Sequence, residues 1–82
     1  MKQPLILDSA RKHGASDETI LLAFNNPILV EDLDEGFTML IGPDHAGNLH
    51  EIGVVGSEMG PVVVHAIRAR PKILEVSHAT NH

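Results

Sequence analysis

The chain of 82 residues contains no cysteine, no tryptophan and no tyrosine. Without cysteine, disulfides and thiolate zinc centres are excluded, and nothing marks a redox compartment beyond compatibility with a reducing cytosol. Phe24 and Phe37 are the two phenylalanines, so the core has to be aliphatic. Basic residues are scarce: six Lys and Arg stand against eleven Asp and Glu, for a net charge of −5. Nucleic-acid binding through a broad basic surface is disfavoured, because phosphate contacts need Lys and Arg. No apolar run approaches the roughly 20 residues of a membrane span. The start, Met1-Lys2-Gln3-Pro4, leads only into Leu5-Ile6-Leu7, too short an apolar stretch for a signal peptide. The expectation is a cytoplasmic protein without a membrane partner. GxSxG, P-loop and dinucleotide fingerprints are missing, as are internal repeats.

What is present is enough for one domain. Apolar residues make up 43% of the chain, although a domain of this size keeps a thin stability margin. The basic residues are concentrated at two places, Arg11-Lys12 beside His13 and the group Arg68, Arg70 and Lys72. Between them, Glu31, Asp32, Asp34 and Glu35 form a dense acidic group.

The order of elements follows from local signals. Pro4 suits a first helical turn, Ile6, Ala10 and His13 recur at helical spacing, and Gly14 can end that helix in a left-handed conformation. Ser16 is an N-cap, with Asp17 and Glu18 in the first turn of a second helix. Ile20, Ala23 and Phe24 form its buried stripe, and Pro27 stops it. Strands then follow at 28–33, 37–41, 49–55 and 61–69, separated by Asp34-Glu35-Gly36, by the loop Pro43-Asp44-His45-Ala46-Gly47-Asn48 and by the turn from Gly56 to Gly60. No helical crossover separates the strands. The predicted fold is therefore α+β, with two N-terminal helices packed on a four-stranded antiparallel meander. It occupies residues 1–76. Lys72 to Val76 fits either a short helix or an extended tail, and residues 77–82 form a polar, frayed end.

Several polar residues are candidates for chemistry. If the last hairpin pairs Val55 with Pro61, Glu51 lies opposite His65, with Met39 near Glu51. Such a Glu–His pair either performs acid–base work or is a polar cross-strand pair on a solvated face. Alternation puts Val62, Val64, Ala66 and Arg68 on one side of the last strand, and Val63, His65, Ile67 and Ala69 on the other. Arg68, Arg70 and Lys72 either bind a phosphate or carboxylate, or form a charged strand end that discourages edge pairing. Arg11, Lys12 and His13 equally fit a helix end whose dipole favours positive charge. The six histidines raise the question of a metal. His78 and His82 are four apart, but no adjacent Glu accompanies them. Asp44, His45 and His50 are expected on diverging strand faces, so neither set makes a zinc centre and no cofactor is assigned.

Lys12-His13-Gly14, Ser16 with its acidic helix start, Phe24-Asn25-Asn26-Pro27, Ile41-Gly42, the turn through Gly47, and His65-Ala66-Ile67-Arg68-Ala69-Arg70 together carry a resemblance. Over roughly residues 6–72 the chain resembles the BrnT-like branch of the RelE-type bacterial toxins. The resemblance implies helices packed on an antiparallel sheet, a metal-independent ribonuclease activity, and a cognate antitoxin as partner. It implies RNA contact by Lys12, Arg68, Arg70 and Lys72, with His13, His65 and Glu51 as candidates for proton transfer. The alternative is a non-catalytic interaction domain, with an edge formed by Val62, Val63 and Val64 as the candidate surface for a homodimer. If the fold joins the end of the first helix to the end of the last strand, one small cationic site results.

Overall fold

Pro4 opens a strand, which corrects the helix expected there. In the computed structural model, which describes residues 3–70, β1 (Leu5–Ile6) runs parallel to the last strand, with Leu5 beside Val62 and Ile6 beside Val63. The cause is the main chain left unpaired along that last strand. Leu7 N–H donates to the Val63 carbonyl at 3.0 Å, and Ile6 packs against the core. Pairing a ready-made edge outweighs the weak propensity of a short isolated helix. What remains of the helix is α1 (Asp8–Arg11), tied down by Ser9 Oγ, which donates to the Val64 carbonyl at 2.8 Å.

The second helix forms as its signals predict. α2 (Asp17–Asn25) is capped by Ser16, whose Oγ accepts from Thr19 N–H at 3.1 Å. Ile20 and Ala23 are fully buried, and Asn26 closes the end by donating from its side chain to the Leu22 carbonyl.

β2 (Leu29–Asp32), β3 (Phe37–Pro43), β4 (Leu49–Ser57) and β5 (Gly60–Arg68) form the expected antiparallel meander. With β1 added, the sheet is mixed and five-stranded, in the order β1-β5-β4-β3-β2. Ala10, Ile20 and Ala23 pack on Leu40, Ile52, Val54, Val63 and Ala66. α2 lies so close to β3 that a Cβ on Gly42 would collide with the Ala23 carbonyl. Because β1 covers Val62 and Val63, the expected dimerisation edge is already paired within the chain. Among the described residues the free edge of the meander is β2 instead. Among the described residues, no helix is long and apolar enough to cross a membrane.

Register differs from the simple hairpin in two ways. The β4–β5 turn pairs Gly56 with Pro61, one residue from the expected Val55. A bulge then inserts Val64: Val54 faces Val63, whereas Gly53 faces His65. Glu51 therefore stands opposite Ile67 and Ile41, and Met39 stands opposite Gly53. The bulge also breaks strict alternation, so Val63 and Ala66 both enter the helix-side core. Gly53 lies at the register shift. A Cβ there would stand 2.9 Å from the Phe37 ring and 3.1 Å from His65 Cβ, so these two side chains occupy the space a larger residue would need. The expected segments at 72–76 and 77–82 lie outside the described residues.

Candidate functional site

The end of the first helix and the end of the last strand do meet. A pocket of about 300 Å³ opens between them. His13, Ser16 and Thr19 line it from the helix side, and Asp44, His50 and Arg68 from the sheet side. Gly14 makes the turn possible with φ +92°, a conformation that lets the chain leave α1 and enter α2 at once. On the sheet, Gly42, His50 and Arg68 lie in register across β3, β4 and β5. The missing side chain at Gly42 lets α2 come down beside the other two.

Arg68 is the cation of the pocket. Its Nη2 donates to Asn48 Oδ1 at 2.6 Å, and it makes no salt bridge among the described residues. The other two arginines are engaged by carboxylates. Arg11 bonds Asp8 at 2.8 Å and Asp17 at 2.7 and 3.0 Å, and chiefly the Asp17 bonds raise its pKa further. Arg70 donates from Nε and Nη2 to the two Glu51 oxygens at 3.0 and 3.1 Å, and from its main-chain N–H at 3.1 Å. Among the described residues, Arg68 thus keeps a charge that no carboxylate compensates. Lys12, at the end of α1, is exposed and outside the pocket lining, and Lys72 lies outside the described residues.

Asp44 organises the pocket floor. Its carboxylate accepts from Ala46 N–H and Asn48 N–H at 2.9 Å each, from Asn48 Nδ2 at 3.3 Å and from His50 Nε2 at 2.9 Å. The His50 bond, with the Asn48 and Ala46 bonds behind it, holds the Asp44 carboxyl well below the usual carboxylate range against the opposing effect of burial. An ionised Asp44 can only accept, so His50 carries its proton on Nε2. His50 Nδ1 is buried and has no hydrogen-bond partner among the described residues. The expectation that Asp44 and His50 diverge is therefore corrected. The loop folds back on the Asp44 side chain, as an Asp followed two and four residues on by free N–H groups allows. His45 is the residue that turns away, bonding Glu18 at 3.0 Å on the surface.

The three candidates for proton transfer separate. His13 and His65 come together, with ring centroids 6.1 Å apart at 69°, an edge-to-face arrangement. Glu51 goes elsewhere. It is fully buried, and its partner is Arg70. Burial pushes the Glu51 carboxyl up, but the Arg70 bonds and charge, with a smaller contribution from His65, outweigh that and hold it down. Glu51 is thus a clamped carboxylate anchoring the chain just beyond β5. Arg70 serves that clamp, which explains why Arg68 and not its neighbour two residues on supplies the pocket charge. Among the described residues no group of three metal-ligating side chains converges. His78 and His82 lie outside them.

Asp44 and His50 were weighed from sequence only as metal ligands, and Asn48 was not singled out at all. The signal for them was the turn-rich loop itself, which places Asp44 and Asn48 at the base of a hairpin directly beside His50. Comparison of the chain with protein-family models, with curated proteins and with solved structures finds no match.

Proposed function

We propose that this protein is a toxin-like ribonuclease that holds one phosphodiester of single-stranded RNA in the pocket between α1, α2 and β5. The observation that carries the reading is the meeting of His13 with Arg68, the one arginine among the described residues without a carboxylate partner. A guanidinium facing a phosphate stabilises the charge that develops on it during transfer. His13, which lines the pocket, and His65, which stands outside the lining with its ring centroid 6.1 Å from that of His13, supply the proton relay. One takes the proton of a ribose 2′-hydroxyl as that oxygen attacks phosphorus. The bond to the 5′-oxygen breaks, and the other protonates the leaving oxygen. The products are a 2′,3′-cyclic phosphate and a 5′-hydroxyl, with no co-reactant needed. A net charge of −5 suits a footprint of very few phosphates, so salt weakens binding with a shallow slope. A cognate antitoxin is the partner this reading calls for.

Induced expression with and without Arg68→Ala, together with cleavage of a synthetic single-stranded RNA in the absence of metal, tests the reading. Wild type arrests growth and leaves cyclic-phosphate ends, and the variant does neither. A wild-type chain that neither arrests growth nor cuts RNA refutes it. The second reading, a non-catalytic interaction domain, draws support from the acidic surface and from the apolar residues exposed along β2.

A further inference from the structure

We infer that the free edge of β2 is a docking strand for a basic, extended segment of another protein. This inference is independent of the pocket, because none of the pocket residues lies on β2.

Among the described residues, the sheet order leaves β2 paired on one side only, with β3. Leu33 N–H donates to the Phe37 carbonyl, and alternation along that ladder places Glu31 and Leu29 in the hydrogen-bonded pairs. The main-chain groups of Val30 and Asp32 therefore face the free side. Apolar side chains accompany them: Ile28 is 64% exposed, Val30 57% and Leu33 47%. A solvent-facing strand edge with apolar side chains is a template for another chain, and proteins usually blunt it with lysine, proline or a covering element. Neither lysine nor proline occurs within β2 or on to Gly36.

Charge selects the occupant. Glu31, Asp32, Asp34 and Glu35 are all exposed. None forms a salt bridge among the described residues, and Asp32 is engaged only with the Thr38 hydroxyl, at 2.9 Å. A second copy pairing through the same edge would bring two such acidic groups together, which is unfavourable. A segment that alternates apolar residues with Lys or Arg satisfies all three features at once. Its main chain pairs with Val30 and Asp32, its apolar side chains cover Ile28 and Val30, and its cations meet the carboxylates. This is strand addition to an exposed edge, with specificity set by alternate side chains.

The test is a titration of the full ¹⁵N-labelled chain with a capped synthetic peptide of alternating Val and Lys. The same peptide with Glu in place of Lys is the control. The Lys peptide is expected to shift the amides of residues 28–33 and to slow hydrogen exchange at Val30 and Asp32. The Glu peptide binds about tenfold more weakly or worse, because like charges at a contact discriminate strongly. Replacing Glu31→Lys and Asp34→Lys together, both on the surface, inverts the preference. Three results overturn the inference: no shift at β2 with the Lys peptide, equal binding of both peptides, or protection of β2 by self-association without any peptide.

Discussion

Removing the Arg70 guanidinium leaves the Glu51 carboxylate buried and alone. Glu51 has no exposed surface, and the Arg70 side chain, 62% exposed, supplies both its ion pair and two of its hydrogen bonds. In Arg70→Ala the carboxyl has one escape, which is to take a proton. From its ordinary value of 4.5, protonation at pH 7 costs about 3.4 kcal/mol, at 1.36 kcal/mol per pH unit. That sets a ceiling on the charge penalty, and at pH 5 the same ceiling falls to about 0.7 kcal/mol. The signs follow from linkage. In wild type the folded pKa is depressed, so the pair stabilises above 4.5 and loses its effect as pH falls through the folded value. In Arg70→Ala the folded pKa is raised, so the variant recovers stability on acidification from neutral pH toward 4.5. Urea denaturation at pH 7 and pH 5 reads the difference, which is expected to reach about 2–3 kcal/mol at pH 7 and to shrink below about 1 kcal/mol at pH 5. Glu51→Gln is milder, costing about 1 kcal/mol, because it leaves a cation that water already reaches. Adding it to Arg70→Ala removes the pH dependence. A loss in Arg70→Ala that stays equal at the two pH values refutes the reasoning, since it would mean that the carboxylate never needed its partner.

Asp44→Ala removes the acceptor for four donors of the β3–β4 loop, and faster amide exchange at Ala46 and Asn48 is the expected signature. Because its folded pKa is depressed, Asp44 stabilises wild type above its ordinary value of 3.8 and ceases to do so as pH falls through the folded value, so the protection of the same amides relative to their intrinsic exchange rate should fall in wild type in strong acid. Glu35 sits at φ 60° ahead of Gly36 at φ 76°, a turn whose two central residues both need the left-handed region. Glu35→Asn is expected to raise the thermal midpoint, by about 1 kcal/mol in stability at most, and an unchanged or lower midpoint would count against strain at that position.

How much of this was legible in the sequence divides along a physical line. The second helix was, because Ser16, Pro27 and the spacing of Ile20 and Ala23 are local signals. So was the meander, which short turns impose. β1 was not, since Leu5 and Ile6 become a strand only when the main chain of β5 stands free beside them, and no local propensity encodes that. The register was missed for a related reason: the shift between Gly53 and Val54, which leaves Val64 unpaired, lies inside the strands and carries no turn signal. The site was legible as two basic ends, and that His13 and Arg68 line one pocket follows from topology. The division of work between Arg68 and Arg70 was invisible. It turns on which side of β5 holds a buried carboxylate.

That division makes Asn48 the residue on which the pocket depends. Its side-chain amide and main-chain N–H donate to Asp44, and its Oδ1 accepts from Arg68. An aspartate in its place would supply a carboxylate at hydrogen-bond distance from Arg68 and so cancel the guanidinium that has no carboxylate partner among the described residues, while setting a second negative charge against Asp44. An alanine would release Arg68 but leave its charge intact. On the proposed reading Asn48→Asp therefore loses RNA affinity and cleavage far beyond Asn48→Ala, and by about as much as Arg68→Ala. Stability must be separated from this effect, because the Asp44 contact is weakened in both variants. Thermal midpoints measured alongside RNA binding do so. The result expected is comparable loss of midpoint in the two Asn48 variants, with loss of binding concentrated in Asn48→Asp. Equal binding by the two would mean that the guanidinium charge is not what holds the phosphate.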